Sequence, residues 1–137
     1  MNKSLDMELW KKDIMDGIKE ITDKITFISK YDPEGAARIE KLLGKMDYLK
    51  NGNAYRERFT NRQFMIVFAP LLDEAYVRAR ILETLAQNTT NTIPGLSESL
   101  GIAKDRIFDH FKELMRRNIV EVTGHRERNP VFRYKAR

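Results

Sequence analysis

The sequence predicts a mainly α chain that closes with a small β hairpin, and three observations carry that expectation. Near the start, Met7, Ile14, Ile21 and Ile28 recur every seven residues, and Ile18 and Ile25 fall four residues after members of that set. That spacing is the apolar stripe of an amphipathic helix. Further on, Gly101 separates two stretches with helical spacing, 96–100 and 103–117. Beyond residue 118, apolar and polar residues alternate on both sides of a polar, basic segment from Gly124 to Pro130. Alternation of that kind is the period of two strands joined by a turn.

The first helix is expected over residues 5–29, its stripe broken once by Lys11 and its other faces carrying Lys12, Asp13, Asp16, Lys19, Glu20, Asp23 and Lys24. Asp32 and Pro33 then read as the N-cap and first residue of a second helix. That helix is expected to run to about residue 50 with Ala36, Ile39, Leu42, Leu43, Met46 and Leu49 on one face, closed by Asn51 and Gly52. The short connection predicts an antiparallel helical hairpin. Residues 60–63 fit a capping box, with Thr60 as cap and Gln63 reaching back. They open a short helix over the apolar run 64–69, which Pro70 is expected to end. The run suits either core or a partner surface, with core favoured. Pro70 then starts another helix reaching residue 87, with Leu71, Leu72, Ala75, Ala79, Leu82, Leu85 and Ala86 on its buried side. The chain divides on this basis into a helical region, 1–70, and a second domain, 71–137. Met7, Ile14, Ile18, Ile21, Ile25 and Ile28 are the candidate dimerisation seam, and packing of that stripe within its own chain is the other reading.

The net charge is all at one end. Residues 103–137 hold ten basic and five acidic side chains, which accounts for the whole formal charge of +5, while residues 1–102 hold fifteen of each. A neutral body with a basic end is the layout of a protein that presents one end to a polyanion. Hydrophobic content of 42% supports a core. The lack of cysteine excludes disulfides, thiolate metal sites and cysteine nucleophiles. No apolar run is long enough for a membrane span, and residues 1–13 lack the apolar core of a signal peptide, so a cytoplasmic protein is expected. No phosphate loop, dinucleotide fingerprint or nucleophile elbow occurs. His110 and His125 stand on different elements and make no zinc site of the usual kind. The expectation is therefore no enzyme, no catalytic residue, no metal and no cofactor, and nothing names a small-molecule effector.

From residue 79 onward seven segments follow one another in a familiar order. Residues 81–85 (ILETL) suit a first helix, and Thr92-Ile93-Pro94 a short strand. Residues 96–102 (LSESLGI) suit a helix and tight turn, with Leu100 inward, Gly101 at positive φ and Ile102 at the corner. Residues 103–117 suit a second helix with Ile107, Phe111 and Leu114 on its core face and Asn118 at its end. Residues 119–122 (IVEV) form a strand with Val120 and Val122 on the buried face, 125–130 a hairpin tip, and 131–134 (VFRY) the returning strand. This order resembles the winged helix-turn-helix family, especially its ArsR-type and MarR-type regulators, over about residues 79–137. The resemblance implies a winged helix-turn-helix domain behind the helical region, with recognition helix 103–117 in the major groove and wing 124–131 on the backbone or minor groove. It also implies contacts from Lys104, Arg106, Asp109, Lys112, Arg126 and Arg128. Asp105 and Asp109 place negative charge on that helix face and Phe108 a large apolar group, departures from an ordinary DNA reader. Carboxylates can nonetheless accept from cytosine N4. The function implied is a transcriptional regulator that binds double-stranded DNA as a homodimer on a palindromic site. The alternative is a protein-interaction module, an accessory subunit of a larger cytoplasmic complex with Phe108 as its anchor.

Overall fold

Asp32 and Pro33 set the first corner of the chain. The computed structural model describes residue 17 and residues 19–45, 61–88 and 90–135. A helix through residues 19–31 (α1) ends where the Asp32 N–H donates to the Ile28 carbonyl at 2.7 Å. The Asp32 carboxylate then accepts from the Gly35 N–H at 3.1 Å, and Pro33 enters the first turn of α2 (Pro33–Gly44). A Cβ on Gly35 would run into that carboxylate, so the cap requires glycine. α2 stops at Gly44, where the Lys45 N–H bonds back to the Leu42 and Leu43 carbonyls. The stop comes earlier than the expected residue 50; Gly44 is a poor helix former at the last helical position. Met46, Leu49, Asn51 and Gly52 lie outside the described residues.

The expected break at Pro70 does not occur. One helix, α3 (Asn61–Ala86), runs through it for 26 residues. Proline removes one i to i−4 hydrogen bond, and here both Pro70 and Ile66, whose carbonyl loses its donor, are exposed. Exposure leaves the Ile66 carbonyl open to solvent, and the turns on either side hold the helix. Thr60, the expected cap, is outside the described residues. The apolar run is not uniformly buried: Phe68 is fully buried, whereas Met65, Ile66 and Val67 are exposed. Leu71 and Ala86, expected inside, are also exposed. The buried stripe is Phe68, Leu72, Ala75, Ala79 and Leu82, at the spacing of one helix face, and Leu71 stands about 100° round from Leu72.

The segment expected as a first strand is the start of a helix. Thr92 is extended and caps α4 (Ile93–Leu100), its hydroxyl accepting from the Gly95 N–H at 3.2 Å. Pro94 suits a first turn whose N–H groups have no helical partner. The extended chain before α4 still touches the C-terminal sheet once, where the Phe132 N–H donates to the Asn91 carbonyl at 2.9 Å. Gly101 follows α4 at φ 68, as the tight turn requires. Ser97 closes that turn by accepting from the Gly101 and Ile102 N–H groups and donating its hydroxyl to the Ile102 carbonyl at 2.6 Å.

α5 (Lys104–Arg116) ends in a Schellman arrangement with Asn118 at φ 60. The Ile119 N–H bonds the Leu114 carbonyl at 2.9 Å and the Asn118 N–H bonds the Met115 carbonyl at 3.0 Å. Strands β1 (Val120–Arg126) and β2 (Asn129–Tyr134) pair antiparallel, with Val120 opposite Tyr134 and Arg126 opposite Asn129. The hairpin tip is tighter than the expected six-residue segment. Only Glu127 and Arg128 turn, both at positive φ (49 and 70), the signature of a two-residue I′ turn. A bulge between Val122 and Gly124 shifts the register. Val122, expected buried, is 41% exposed, because the strand leaves the core after Val120 and bulges next to it.

The chain separates into two compact units, Met1–Tyr76 and Val77–Arg137, with the boundary inside α3. Core side chains of the first include Ile25, Ile28, Ala36, Ile39, Phe68 and Leu72. The Phe27 ring lies 5.3 Å from Tyr76, and Lys24 reaches Asp73 at 3.4 Å, so α1 packs on the first part of α3. Of the expected dimerisation stripe, Ile25 and Ile28 are covered by their own chain, Ile21 is half-buried, and Met7, Ile14 and Ile18 lie outside the described residues. In the second unit Ile81, Leu82, Leu96, Ile107, Phe111, Leu114 and Phe132 are essentially inaccessible. Phe111 stacks on Phe132 with ring centroids 3.9 Å apart and planes 15° from parallel. Phe111→Ala should therefore lower the unfolding free energy of this unit by about 3–5 kcal/mol, measured by chemical denaturation followed by circular dichroism.

Candidate functional site

The burial of one face of α5 decides what its other face presents. Ile107, Phe111 and Leu114 are buried, so Lys104, Asp105, Arg106, Phe108, Asp109 and Lys112 all face outward. The two hairpin arginines, Arg126 and Arg128, are exposed as well. All six residues expected to contact DNA are thus on the surface of the second unit.

Their charges are not equally available. Lys112 is held by Asp109 at 3.1 Å, and its ammonium lies 5.2 Å from the centre of the Phe108 ring. Arg116 makes a two-pronged contact with Glu113 at 2.6 and 3.0 Å. Arg133 and Lys135 both reach Glu121 across the sheet, and Lys135 also donates to the Asn118 side chain at 2.5 Å. Arg117 is 9% exposed and His110 5%, so neither adds charge to the outer face. Asp105 turns back to accept from the Arg106 N–H at 3.0 Å, an acid in the first turn of a helix, where the helix dipole favours it. Among the described residues, no acid pairs with Lys104, Arg106, Arg126 or Arg128. Among the described residues, the exposed cations of 103–137 without an acid partner therefore stand on the start of α5 and the tip of the hairpin, with Glu127 the acid between the two hairpin arginines.

The Arg116 guanidinium beside Glu113 holds its carboxyl below the usual value of 4.5. Arg133, with Lys135, does the same for Glu121 on the exposed face of the sheet. Such pairs contribute little to stability at a surface, but they use up acids that would otherwise repel a polyanion.

Sequence reasoning placed the six surface residues but missed what anchors the hairpin that carries two of them. The strands are tied to the rest of the unit by the Asn91 carbonyl and by the Phe111–Phe132 stack, while the Lys135 N–H donating to the Ile119 carbonyl at 2.8 Å extends their own ladder by one bond. Backbone bonds of this kind leave no residue-type signature. The Glu127–Arg128 turn had no signal either, since I′ turns favour Asn-Gly.

The first unit has an open groove of about 430 Å³ lined by Lys19, Glu20, Asp23, Lys24, Phe27 and Tyr76. Its two lysines and two acids cancel, and Lys24 already meets Glu20 and Asp73. Among the described residues no group of His, Cys, Asp or Glu is arranged to hold a metal ion, and no helix is long and apolar enough to cross a membrane. No family model, curated protein or solved structure matches the chain.

The Glu121 carboxyl should titrate below 4.5 in a carboxyl-resolved NMR titration, and Arg133→Gln should move its midpoint back up. Because the folded-state value is depressed, the contact is intact above about 4.5 and is lost as pH falls through the lower midpoint. An unchanged midpoint in the variant would show that Arg133 is not the cause.

Proposed function

We propose that the chain is a DNA-binding protein of winged helix-turn-helix design, a transcriptional regulator whose α5 enters the major groove and whose β1–β2 wing lies against the backbone or minor groove. The observation that carries this reading is the set of four cations, Lys104, Arg106, Arg126 and Arg128, exposed and without an acid partner among the described residues. Phosphates are the natural counterions of such a set. The order of elements supports it: two helices across a glycine turn, then a hairpin with two arginines next to or at its tip. Lys112 and Asp109 enter the interface as a pair rather than as separate contacts. An exposed pair of this kind is worth only tenths of a kcal/mol, so a phosphate can take Lys112 and leave Asp109 to accept from a cytosine N4.

Four free cations imply that log K for a short random-sequence duplex falls with log salt at a slope of about −3.5. Arg126→Ala with Arg128→Ala should weaken binding to all sequences alike and flatten the slope by roughly two units. Arg106→Ala should cost ~1–3 kcal/mol on a preferred site if that side chain reads a base edge. Fluorescence anisotropy between ~50 and ~200 mM salt measures all three. No binding at the lower salt would sink the DNA reading. It would favour a protein-interaction module, for which the 52% exposed Phe108 is the specific observation.

The same reading includes a homodimer, since one helix and one hairpin offer little contact area and two-fold symmetry doubles it on a palindrome. Ile25 and Ile28 are covered within the chain, so they do not supply its seam. Ile66 and Val67 on α3, 65% and 51% exposed, are apolar surface that a second copy would cover. Light scattering should give twice the mass of one chain, and Ile66→Lys should shift it toward the monomer. A full-length monomer at ~100 μM, a concentration at which even a Kd in the micromolar range gives mostly dimer, would remove the dimer from the proposal.

A further inference from the structure

Phe108 is an exposed aromatic side chain that its own fold cannot hide. Its neighbour Ile107 and the core residues Phe111 and Leu114 are buried, which fixes the rotation of α5 and leaves Phe108 52% exposed on the outer face. It stands between Lys104 and Lys112 in an i, i+4, i+8 row. Lys112, paired with Asp109 at 3.1 Å, sits with its ammonium 5.2 Å from the ring centre. One ring face is therefore occupied by a cation. Lys104, one turn earlier, and Arg106, two residues earlier, are exposed and have no acid partner among the described residues.

Those positions restrict what the ring can meet. On the edge of a base pair in the major groove the apolar group is the 5-methyl of thymine. Stacking on an unpaired base needs only one ring face, so the Lys112 ammonium over the other does not exclude it. The duplex reading favours the thymine methyl, and single-stranded DNA is an outcome of the test. We propose that Phe108 is a specificity-determining residue that recognises thymine by packing against its 5-methyl group, while Lys104, in the same row, holds a flanking phosphate. This rests on the duplex-DNA reading above.

The test uses the full chain and uracil, which keeps the hydrogen-bonding edge of thymine and lacks the methyl. Duplexes enriched by the wild-type protein from a random library are resynthesised with uracil at one thymine at a time. At the thymine under α5 the wild type should bind about fourfold more weakly, the worth of one methyl-sized group removed from apolar contact. In Phe108→Ala the thymine-to-uracil ratio should fall to one, with the salt slope unchanged. Phe108→Leu, which keeps an apolar side chain, should retain part of the ratio. It also serves if the alanine variant fails to give a native circular dichroism spectrum. Salt-dependent duplex binding with no thymine-bearing site enriched, a wild-type ratio of one at every thymine, or an undiminished ratio in both variants overturns the role of Phe108 while leaving DNA binding in place. Tighter binding to single-stranded DNA that Phe108→Ala abolishes would mean that the ring stacks on bases, and also overturns it. Absence of any duplex binding overturns the DNA reading and this inference together.

Discussion

The Phe111–Phe132 stack is the contact on which the second unit depends. Phe111 belongs to α5 and Phe132 to β2, and their rings lie 3.9 Å apart and nearly parallel. Two aromatic side chains buried against each other remove a large apolar area from water. The hairpin is otherwise two strands, too little to be stable in water by itself. Joined to α5 by the stack and to the chain before α4 by the Asn91 carbonyl, it becomes a fixed projection. The same stack sets the rotation of α5 and leaves Arg106 and Phe108 on its outer side, while Lys104, seven residues before Phe111, is exposed at the first position of the helix.

Electrostatics follow from that rotation. Most acids of the second half of this unit lie next to a base or a backbone donor: Asp109 to Lys112, Glu113 to Arg116, Glu121 to Arg133 and Lys135, and Asp105 to the Arg106 N–H. Among the described residues, the exposed cations left over stand at two places, the first turn of α5 and the hairpin tip. Formal charge alone would spread +5 over 35 residues. Pairing concentrates it, and a concentrated field persists nearer to physiological salt than a diffuse one, since screening acts over about 8–10 Å.

Among the described residues, left-handed backbone at residues other than glycine occurs at Asn88 and Asn118, a residue type that tolerates it, and at the two residues of the same tip. Glu127 and Arg128 occupy left-handed conformations without being glycine, at a typical cost of about 1–2 kcal/mol per residue. An Asn-Gly turn would close the hairpin with less strain but would carry no charge there. Holding Arg128 at the apex is compatible with the proposed role, in which the tip meets phosphate.

The sequence by itself determined the elements whose signals are local. Asp32 before Pro33, Gly101 between two helices and the Ile107, Phe111 and Leu114 spacing each state a geometry that neighbouring residues enforce, and each is present as expected. The alternation around residues 124–130 gave the hairpin but neither its two-residue tip nor the exposure of Val122. The tertiary structure decided whatever depends on residues far apart in the chain. Pro70 reads locally as a boundary, but packing of Phe68 before it and of Leu72 and Ala75 after it keeps the helix continuous through it. Thr92-Ile93-Pro94 has the composition of either a strand or a capped helix start, and the Thr92 hydroxyl bond to Gly95 selects the helix. The stripe of isoleucines states that one face of α1 is covered without stating by what, and the chain itself covers Ile25 and Ile28. Which cations remain unpaired was invisible for the same reason: Glu121 meets Arg133 only because two strands twelve residues apart in sequence are in register. Periodicity reports which face of an element is apolar, whereas the partner of that face and the pairing of its charges are fixed only when distant segments come into contact.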